Sequence, residues 1–232
     1  VASVSDTDVI VLVPAYNEAG IIATTVSDLR TAFGQVLVVD DGSRDRTADV
    51  AEAAGATVLR HAVNRGQGAA LQTGFDHVRL NTSVRYCVTF DADGQHRVED
   101  ARRMVDAARA DDLDVVLASR FQGRTEAMPL SRRIILRSAI RFSRLATGLP
   151  LTDTHNGLRV LNRNALEAIH LHQDRMAYAT ELESLVARRN LRWAEVPTTV
   201  VYTEYSRAKG QTNLNAVNIL FDLAADRIRH SR

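Results

Sequence analysis

Tyr86-Cys87-Val88-Thr89-Phe90-Asp91-Ala92-Asp93-Gly94-Gln95-His96 is a short apolar run that breaks into two carboxylates and a glycine turn. The run at 86–90 is too brief for a helix and rich in β-forming side chains, so it reads as a buried strand. Alternate side chains of an extended chain point the same way, which brings Asp91 and Asp93 out together where the strand ends. Two further runs break in the same manner. Residues 9–13 lead into Pro14-Ala15-Tyr16-Asn17-Glu18, and 35–39 into Asp40-Asp41-Gly42-Ser43-Arg44-Asp45. Apolar runs at 57–60 and 115–119 also read as strands, whereas 19–33, with Ile22, Val26 and Leu29, and the segments 47–54 and 68–80 carry a helical period. Such alternation predicts an α/β fold: a mostly parallel sheet with helices on both faces and ligands gathered at the carboxyl ends of the strands.

Beyond residue 119 the pattern changes. A basic amphipathic helix is expected over 129–147, helices over 165–171 and 178–189, a strand over 194–203, and an amphipathic helix over 213–232 with Val217, Leu220, Phe221, Ala224 and Ile228 on one side. No repeat or linker interrupts the chain, and its 232 residues fit one domain spanning 1–232. With 29 basic and 28 acidic side chains, the formal charge of +1 gives no global attraction to nucleic acid. Cys87 cannot form an internal disulfide, as it is the chain's one cysteine, and it reads as a small core residue in a reducing compartment. No run approaches the ~20 apolar residues needed to span a bilayer, and residues 1–8 lack a signal-peptide pattern, so the expected location is cytoplasmic.

The Asp91/Asp93 pair presents hard oxygens that suit Mg2+ or Mn2+, ions that leave part of their coordination to water and substrate phosphates. Gln95 or His96 can complete or orient the set. Acidic groups in the first two loops can accept from a base N–H or a ribose hydroxyl, and Tyr16 offers a flat face to a base. A third loop, Asn64-Arg65-Gly66-Gln67-Gly68, precedes a helix whose N-terminus favours negative charge. Neither a dinucleotide Gly-x-Gly-x-x-Gly nor a Gly-Lys-Ser/Thr phosphate loop occurs. Glu181 and Glu183 point to different faces of their helix, so at most one enters the site, with Glu181 the favoured one. His61, His77, His170 and His172 form no metal-like group and receive no role.

In the order of these elements the sequence resembles family 2 glycosyltransferases of the GT-A fold, especially the catalytic domains of dolichol-phosphate mannose synthase and bacterial polyprenyl-phosphate relatives, over nearly its whole length. The resemblance implies that Pro14, Ala15, Tyr16, Glu18, Asp40 and Asp41 hold the nucleoside with Gly66 and Gln67 nearby. It implies that Asp91, Asp93 and Gln95 bind metal and donor diphosphate, that Arg120 lies near the donor sugar and acceptor phosphate, and that Asp153, in Asp153-Thr154-His155-Asn156-Gly157-Leu158-Arg159, is the base or acceptor orienter. Leu158 stands where the family usually has Phe. Arg207 and Lys209, in Tyr205-Ser206-Arg207-Ala208-Lys209-Gly210, match a basic flap over the phosphates. The implied reaction is inverting transfer from a UDP or GDP sugar to a polyprenyl phosphate.

Arginines 124, 132, 133, 137, 141 and 144, opposed by Glu126 alone, suit anionic headgroups, so a peripheral membrane contact or a separate membrane protein is an expected partner. Two alternatives stand beside this reading. One is transfer to a hydroxyl of a glycan, peptide or small molecule with Asp153 or Glu181 as base; the other is a non-catalytic nucleotide-sugar binder. The absence of Gln-x-x-Arg-Trp speaks against a processive synthase: Arg189-Asn190-Leu191-Arg192-Trp193 begins with Arg.

Overall fold

A computed structural model describes residues 6–121, 140, 141, 144, 147–153 and 156–201. The first half alternates strand and helix as β1 (Val9–Ala15), α1 (Ile22–Phe33), β2 (Gln35–Asp40), α2 (Thr47–Ala53), β3 (Thr57–Arg60), α3 (Gln67–Asn81), β4 (Tyr86–Thr89), α4 (Val98–Ala110) and β5 (Val115–Ser119). The second half adds β6 (Arg159–Asn162), α5 (Arg163–Ala168), α6 (Tyr178–Arg188) and β7 (Trp193–Pro197). The strands form one sheet in the order β3-β2-β1-β4-β6-β5-β7. Every pairing is parallel except those of β6, which runs antiparallel to both β4 and β5.

Strand periodicity sorts the core into two layers. Val9, Val11, Val13, Val36, Val38 and Val88 face α1 and α4, where Ile22, Leu29, Phe33 and Met104 meet them. Ile10, Leu12, Leu37, Val39 and Cys87 face the opposite way, against Leu71 and Phe75 of α3 and Leu182 and Val186 of α6. Both faces are therefore covered, as the alternation of strand and helix predicts. Cys87 is fully buried, and burial pushes its thiol up to about 12, the behaviour of a packing residue.

Two elements go beyond the sequence-based expectation. α4 is amphipathic, burying Ala101, Met104, Val105 and Ala108 along one stripe. β6 is a four-residue strand wedged between a polar turn and a helix, and its reversal carries its starting end to the edge where β4 and β5 finish. Boundaries also move, among them those of the helix expected over 165–171, which runs from Arg163 to Ala168. α1 starts at Ile22 rather than 19 because the preceding backbone is already engaged: Asn17 N–H donates to Ser43 Oγ (2.9 Å), Glu18 N–H to Thr47 Oγ1 (2.7 Å) and Ala19 N–H to Asp45 Oδ2 (3.2 Å). β7 stops at Pro197: Thr198 N–H makes the last ladder bond, to Ser119 O (3.1 Å), and Thr199 N–H leaves the ladder for Asp100 Oδ2 (2.7 Å). Within the basic stretch 129–147, residues 140, 141, 144 and 147 are described and helical, with Ile140 buried and Arg141 and Arg144 exposed. The rest of that stretch and the expected helix 213–232 lie outside the described residues.

Candidate active site at the carboxyl edge of the sheet

The loops after β1 and β2 are fixed by carboxylates that accept from their own neighbourhood. Asp40 Oδ1 accepts from Ser43 N–H (3.2 Å) and from the Ser43 hydroxyl. Asp41, 3% exposed, accepts at Oδ1 from Arg65 N–H (2.9 Å) and at Oδ2 from Gly66 N–H (2.7 Å). The His61 ring closes the group, with Nδ1 2.7 Å from Asp41 Oδ1 and Nε2 2.9 Å from Thr73 Oγ1. Asp41 thereby folds the 64–66 loop onto the sheet edge. Gly66 is required there: its φ is +107°, and a Cβ would stand 2.4 Å from Asp174 O. Gln67 opens α3 immediately afterwards and donates from Nε2 to Asp91 Oδ1 (3.0 Å). Glu18 is buried, Ala15 is buried, Pro14 is half-buried, and Tyr16 lies open to solvent.

At the end of β4, Asp91 and Asp93 experience opposite fields. Burial raises the Asp91 carboxyl, but its hydrogen bond to His96 (Nε2 to Oδ2, 3.1 Å), the His96 and Arg159 charges and the Gln67 bond together hold it below the usual range. Asp93 is pushed up to about 6, first by burial and then by the Asp91 charge, against a weaker pull from His96 and the Gln95 amide. Gln95, buried, is tied to the turn through its N–H on Asp93 Oδ1 (3.1 Å). The His96 ring rests edge-on against Phe90 at 5.6 Å, and its buried Nδ1 has no hydrogen-bond partner among the described residues. Gly157 packs against this pair so closely that a Cβ would lie 2.0 Å from Asp91 Oδ2, and Thr89 Oγ1 donates to Gly157 O (2.6 Å).

These residues fit a divalent cation. Two neighbouring carboxylates, one of them pushed up by burial and then by the other's charge, are relieved by a cation beside them. Among the described residues no group of three or more His, Cys, Asp or Glu side chains forms a metal cage. A pair of carboxylates alone leaves most of an octahedral shell for water and phosphate, the usual habit of Mg2+.

Beyond β5 and before β6 an arginine joins the carboxylates. Arg120 donates to Asp153 Oδ2 from both its backbone N–H (2.9 Å) and Nε (2.7 Å), in a pair that is 7% and 4% exposed. Thr152 N–H and Asp153 N–H donate to Glu195 of β7 (2.8 and 3.1 Å), and Thr152 Oγ1 lies 2.7 Å from Ser119 Oγ, which locks the turn to both strands. A small cavity beside this pair is lined by Leu117, Ala118, Asp153, Asn156, Arg159 and Glu183.

The structure thus gathers Asp40, Asp41, Gly66, Gln67, Asp91, Asp93, Gln95, Arg120 and Asp153 along one sheet edge. Arg207 and Lys209 lie outside the described residues. Glu181 and Glu183 take different surroundings, as their places on different faces of the helix predict. Glu181 accepts from the backbone N–H groups of His172 (3.0 Å) and Gln173 (2.9 Å), holding a loop, while Glu183 is 3% exposed and lines the cavity. In α6 the buried positions Tyr178, Ala179, Leu182, Glu183 and Val186 make one helical stripe with a carboxylate inside it. Arg159, which the motif contains without an assigned role, is buried against Tyr178, 5.3 Å over its ring.

The family model described as Glycosyl transferase family 2 matches residues 10–169. The undecaprenyl-phosphate mannosyltransferase of Micrococcus luteus is 33% identical over 87% of this chain and 86% of its own length. The UDP-N-acetylglucosamine–dolichyl-phosphate N-acetylglucosaminyltransferase of Methanococcus voltae is 29% identical over 94% of this chain and 96% of its own. Among solved structures, glucosyl-3-phosphoglycerate synthase from Mycobacterium tuberculosis in complex with Mn2+, UDP-glucose and phosphoglyceric acid superposes with a TM-score of 0.64 at 18% identity, over 84% of this chain and 72% of that one. That likeness concerns the fold, which is GT-A.

Proposed function

The chain belongs to glycosyltransferase family 2, and from that premise we propose that it moves one sugar, with inversion, from a UDP or GDP sugar to a polyprenyl phosphate. The observation that carries the reading is the pair Asp91 and Asp93, crowded at the carboxyl end of a central strand and flanked by the buried Arg120–Asp153 ion pair. The lipid-phosphate acceptor is supported by the names of relatives aligned over nearly their full lengths.

Asp91, Asp93 and Gln95 would hold Mg2+ or Mn2+, which when bound supplies Lewis-acid stabilisation of the departing diphosphate. Pro14, Ala15, Tyr16 and Glu18 would form the nucleoside wall, and Asp40 and Asp41 would serve it by fixing the backbone of their loops. Gly66 and Gln67 open α3, whose N-terminus favours phosphate. Arg120 would bind the acceptor phosphate, with Arg207 and Lys209 clamping the donor diphosphate. The bond broken joins the anomeric carbon to the β-phosphate oxygen, and the new bond joins that carbon to an acceptor phosphate oxygen. The nucleoside diphosphate leaves with the bonding pair. A phosphate monoester is anionic near neutral pH, so Asp153 has no proton to remove and acts by orienting Arg120.

No helix among the described residues is long and apolar enough to cross a membrane. The exposed Arg141 and Arg144 support a peripheral contact with anionic headgroups at the cytoplasmic face.

The test is transfer from radiolabelled UDP and GDP sugars, with Mn2+ or with chelator, onto a polyprenyl phosphate. Label extracted into the lipid phase, labile to mild acid and lost with chelator, is the expected result. A labelled soluble glycoside instead would overturn the acceptor. Failure of every donor, with no slow hydrolysis, would leave a silent binder.

A further inference from the structure

His61 belongs to no metal-like group, yet the fold brings it to the sheet edge at the head of a chain of contacts. Its backbone N–H donates to Asp40 O (2.9 Å), which carries the β2–β3 pairing one residue past β3 and sets the ring beside Asp41. The His61 and Asp41 side chains are 9% and 4% exposed; Nδ1 stands 2.7 Å from Asp41 Oδ1, and Nε2 stands 2.9 Å from Thr73 Oγ1 in α3. A carboxylate only accepts, so the ring donates to it from Nδ1–H. The same carboxylate takes the Arg65 and Gly66 N–H groups (2.9 and 2.7 Å). Residues 62–65 are all exposed, so apolar burial contributes little to holding this loop, and its place depends on those bonds. Gln67 follows Gly66 directly, and its Nε2 donates to Asp91 Oδ1 (3.0 Å). Contacts therefore run without a break from His61 through Asp41 and the Gly66 backbone to the first carboxylate of the crowded pair.

We infer that His61 is a positioning residue for donor binding: its ring fixes the angle of the Asp41 carboxylate, which places the Arg65 and Gly66 N–H groups and, through them, Gln67 beside Asp91. The inference rests on the reading of the chain as a nucleotide-sugar transferase and deepens it. Asp41 Oδ1 takes both the ring N–H and the Arg65 N–H, while Oδ2 takes Gly66. Without the ring the carboxylate can turn about its last bond, and both loop amides turn with it. Hydrogen bonds that orient a ligating carboxylate typically matter about 10–100-fold in metal affinity, so a shift of Gln67 is felt at Asp91. Contiguity alone does not make coupling, which a mutant cycle measures directly. The two ring nitrogens also separate function from packing. An asparagine carries an N–H2 near the place of Nδ1 and keeps the bond to Asp41; a glutamine carries one near the place of Nε2 and keeps only the bond to Thr73.

The experiment measures binding of Mn2+, by paramagnetic resonance of the free ion, and of UDP and GDP with Mn2+, by calorimetry. The proteins are the wild type, His61→Asn, His61→Gln, Gln67→Ala and the double variant His61→Gln/Gln67→Ala, each held well below its melting temperature. His61→Gln is expected to weaken Mn2+ and the preferred nucleotide about tenfold, and His61→Asn to keep both within about threefold. The Mn2+ loss of the double variant is expected to match the larger of the two single losses. Where His61→Gln does not stay folded, His61→Ser, too short to reach either partner, takes its place against His61→Asn and in the cycle. Wild-type affinities in His61→Gln, equal losses in His61→Asn and His61→Gln, or losses that multiply in the double variant each overturn the positioning role and leave a histidine that serves the fold alone. A wild type that binds Mn2+ but neither UDP nor GDP overturns the functional reading, while the Mn2+ arm still decides the role of His61. A wild type that binds neither cation nor nucleotide overturns both.

Discussion

The two halves of the site edge hold their carboxylates by different means. Around β1 and β2, Asp40 and Asp41 are satisfied by backbone N–H groups, a hydroxyl and an imidazole, so the loops gain order without the help of an arginine. Across β5 and β6, Asp153 is held by the Arg120 guanidinium. Between them, Asp91 and Asp93 crowd each other. The difference teaches where each kind of substrate charge is welcome. A region that retains negative charge draws a cation, and through it a diphosphate, while a region already neutralised can approach an anionic or neutral group without repulsion.

The sharpest way to break this contrast is Asp93→Ala, which is expected to cut transfer about 10³-fold, measured as label reaching lipid, while His170→Ala leaves it unchanged. Equal losses in the two variants would remove the cation from the crowded centre. Next comes Arg120→Met. It strands Asp153 as a buried charge, with an expected cost of about 3–5 kcal/mol, read in thermal melts as a fall of roughly 6–20 °C. Asp41→Asn, whose partners are not guanidinium groups, should cost less, about 1–3 kcal/mol. A reversal of that order in the melts would show that the two halves are not held as described. Gly157→Ala drives a methyl into the Asp91 carboxylate and should cost about 1–3 kcal/mol, with weakened Mn2+ binding by titration. A pH trend comes last. Asp93 has a folded value of about 6 against an ordinary 3.8, so its contribution to stability is full below about pH 4 and is lost as pH rises through 6. Melts of the metal-free protein over that window should slope downward more in wild type than in Asp93→Asn.

Much of this edge was legible in the sequence because it is locally encoded. Strands that end in Pro14-Ala15-Tyr16, Asp40-Asp41 and Asp91-Ala92-Asp93 announce both their period and their break, and parallel alternation sends all three breaks to one side. The β6 strand was not legible, since Arg159-Val160-Leu161-Asn162 is too short to show a period and its reversed direction has no local cause. The burial of Glu183 was not legible from spacing, because Glu181 and Glu183 differ only in which face of their helix packs and the apolar stripe of α6 carries Glu183 inward. The partner of Asp153 could not be read from spacing either: Arg120 lies 33 positions away and meets it only once β5 and the turn before β6 are side by side.

The insertion of β6 between β4 and β5 also sets an order of assembly. β5 touches no strand made before it, so a growing chain that has emerged as far as residue 158 can complete only the four-stranded parallel part, with the β4 edge bare. Bare edges invite pairing with other chains, which makes this interval the vulnerable one during synthesis. Addition of residues 159–162 covers that edge, gives β5 and then β7 a place, and delivers a positive charge beside Asp91 in the same event.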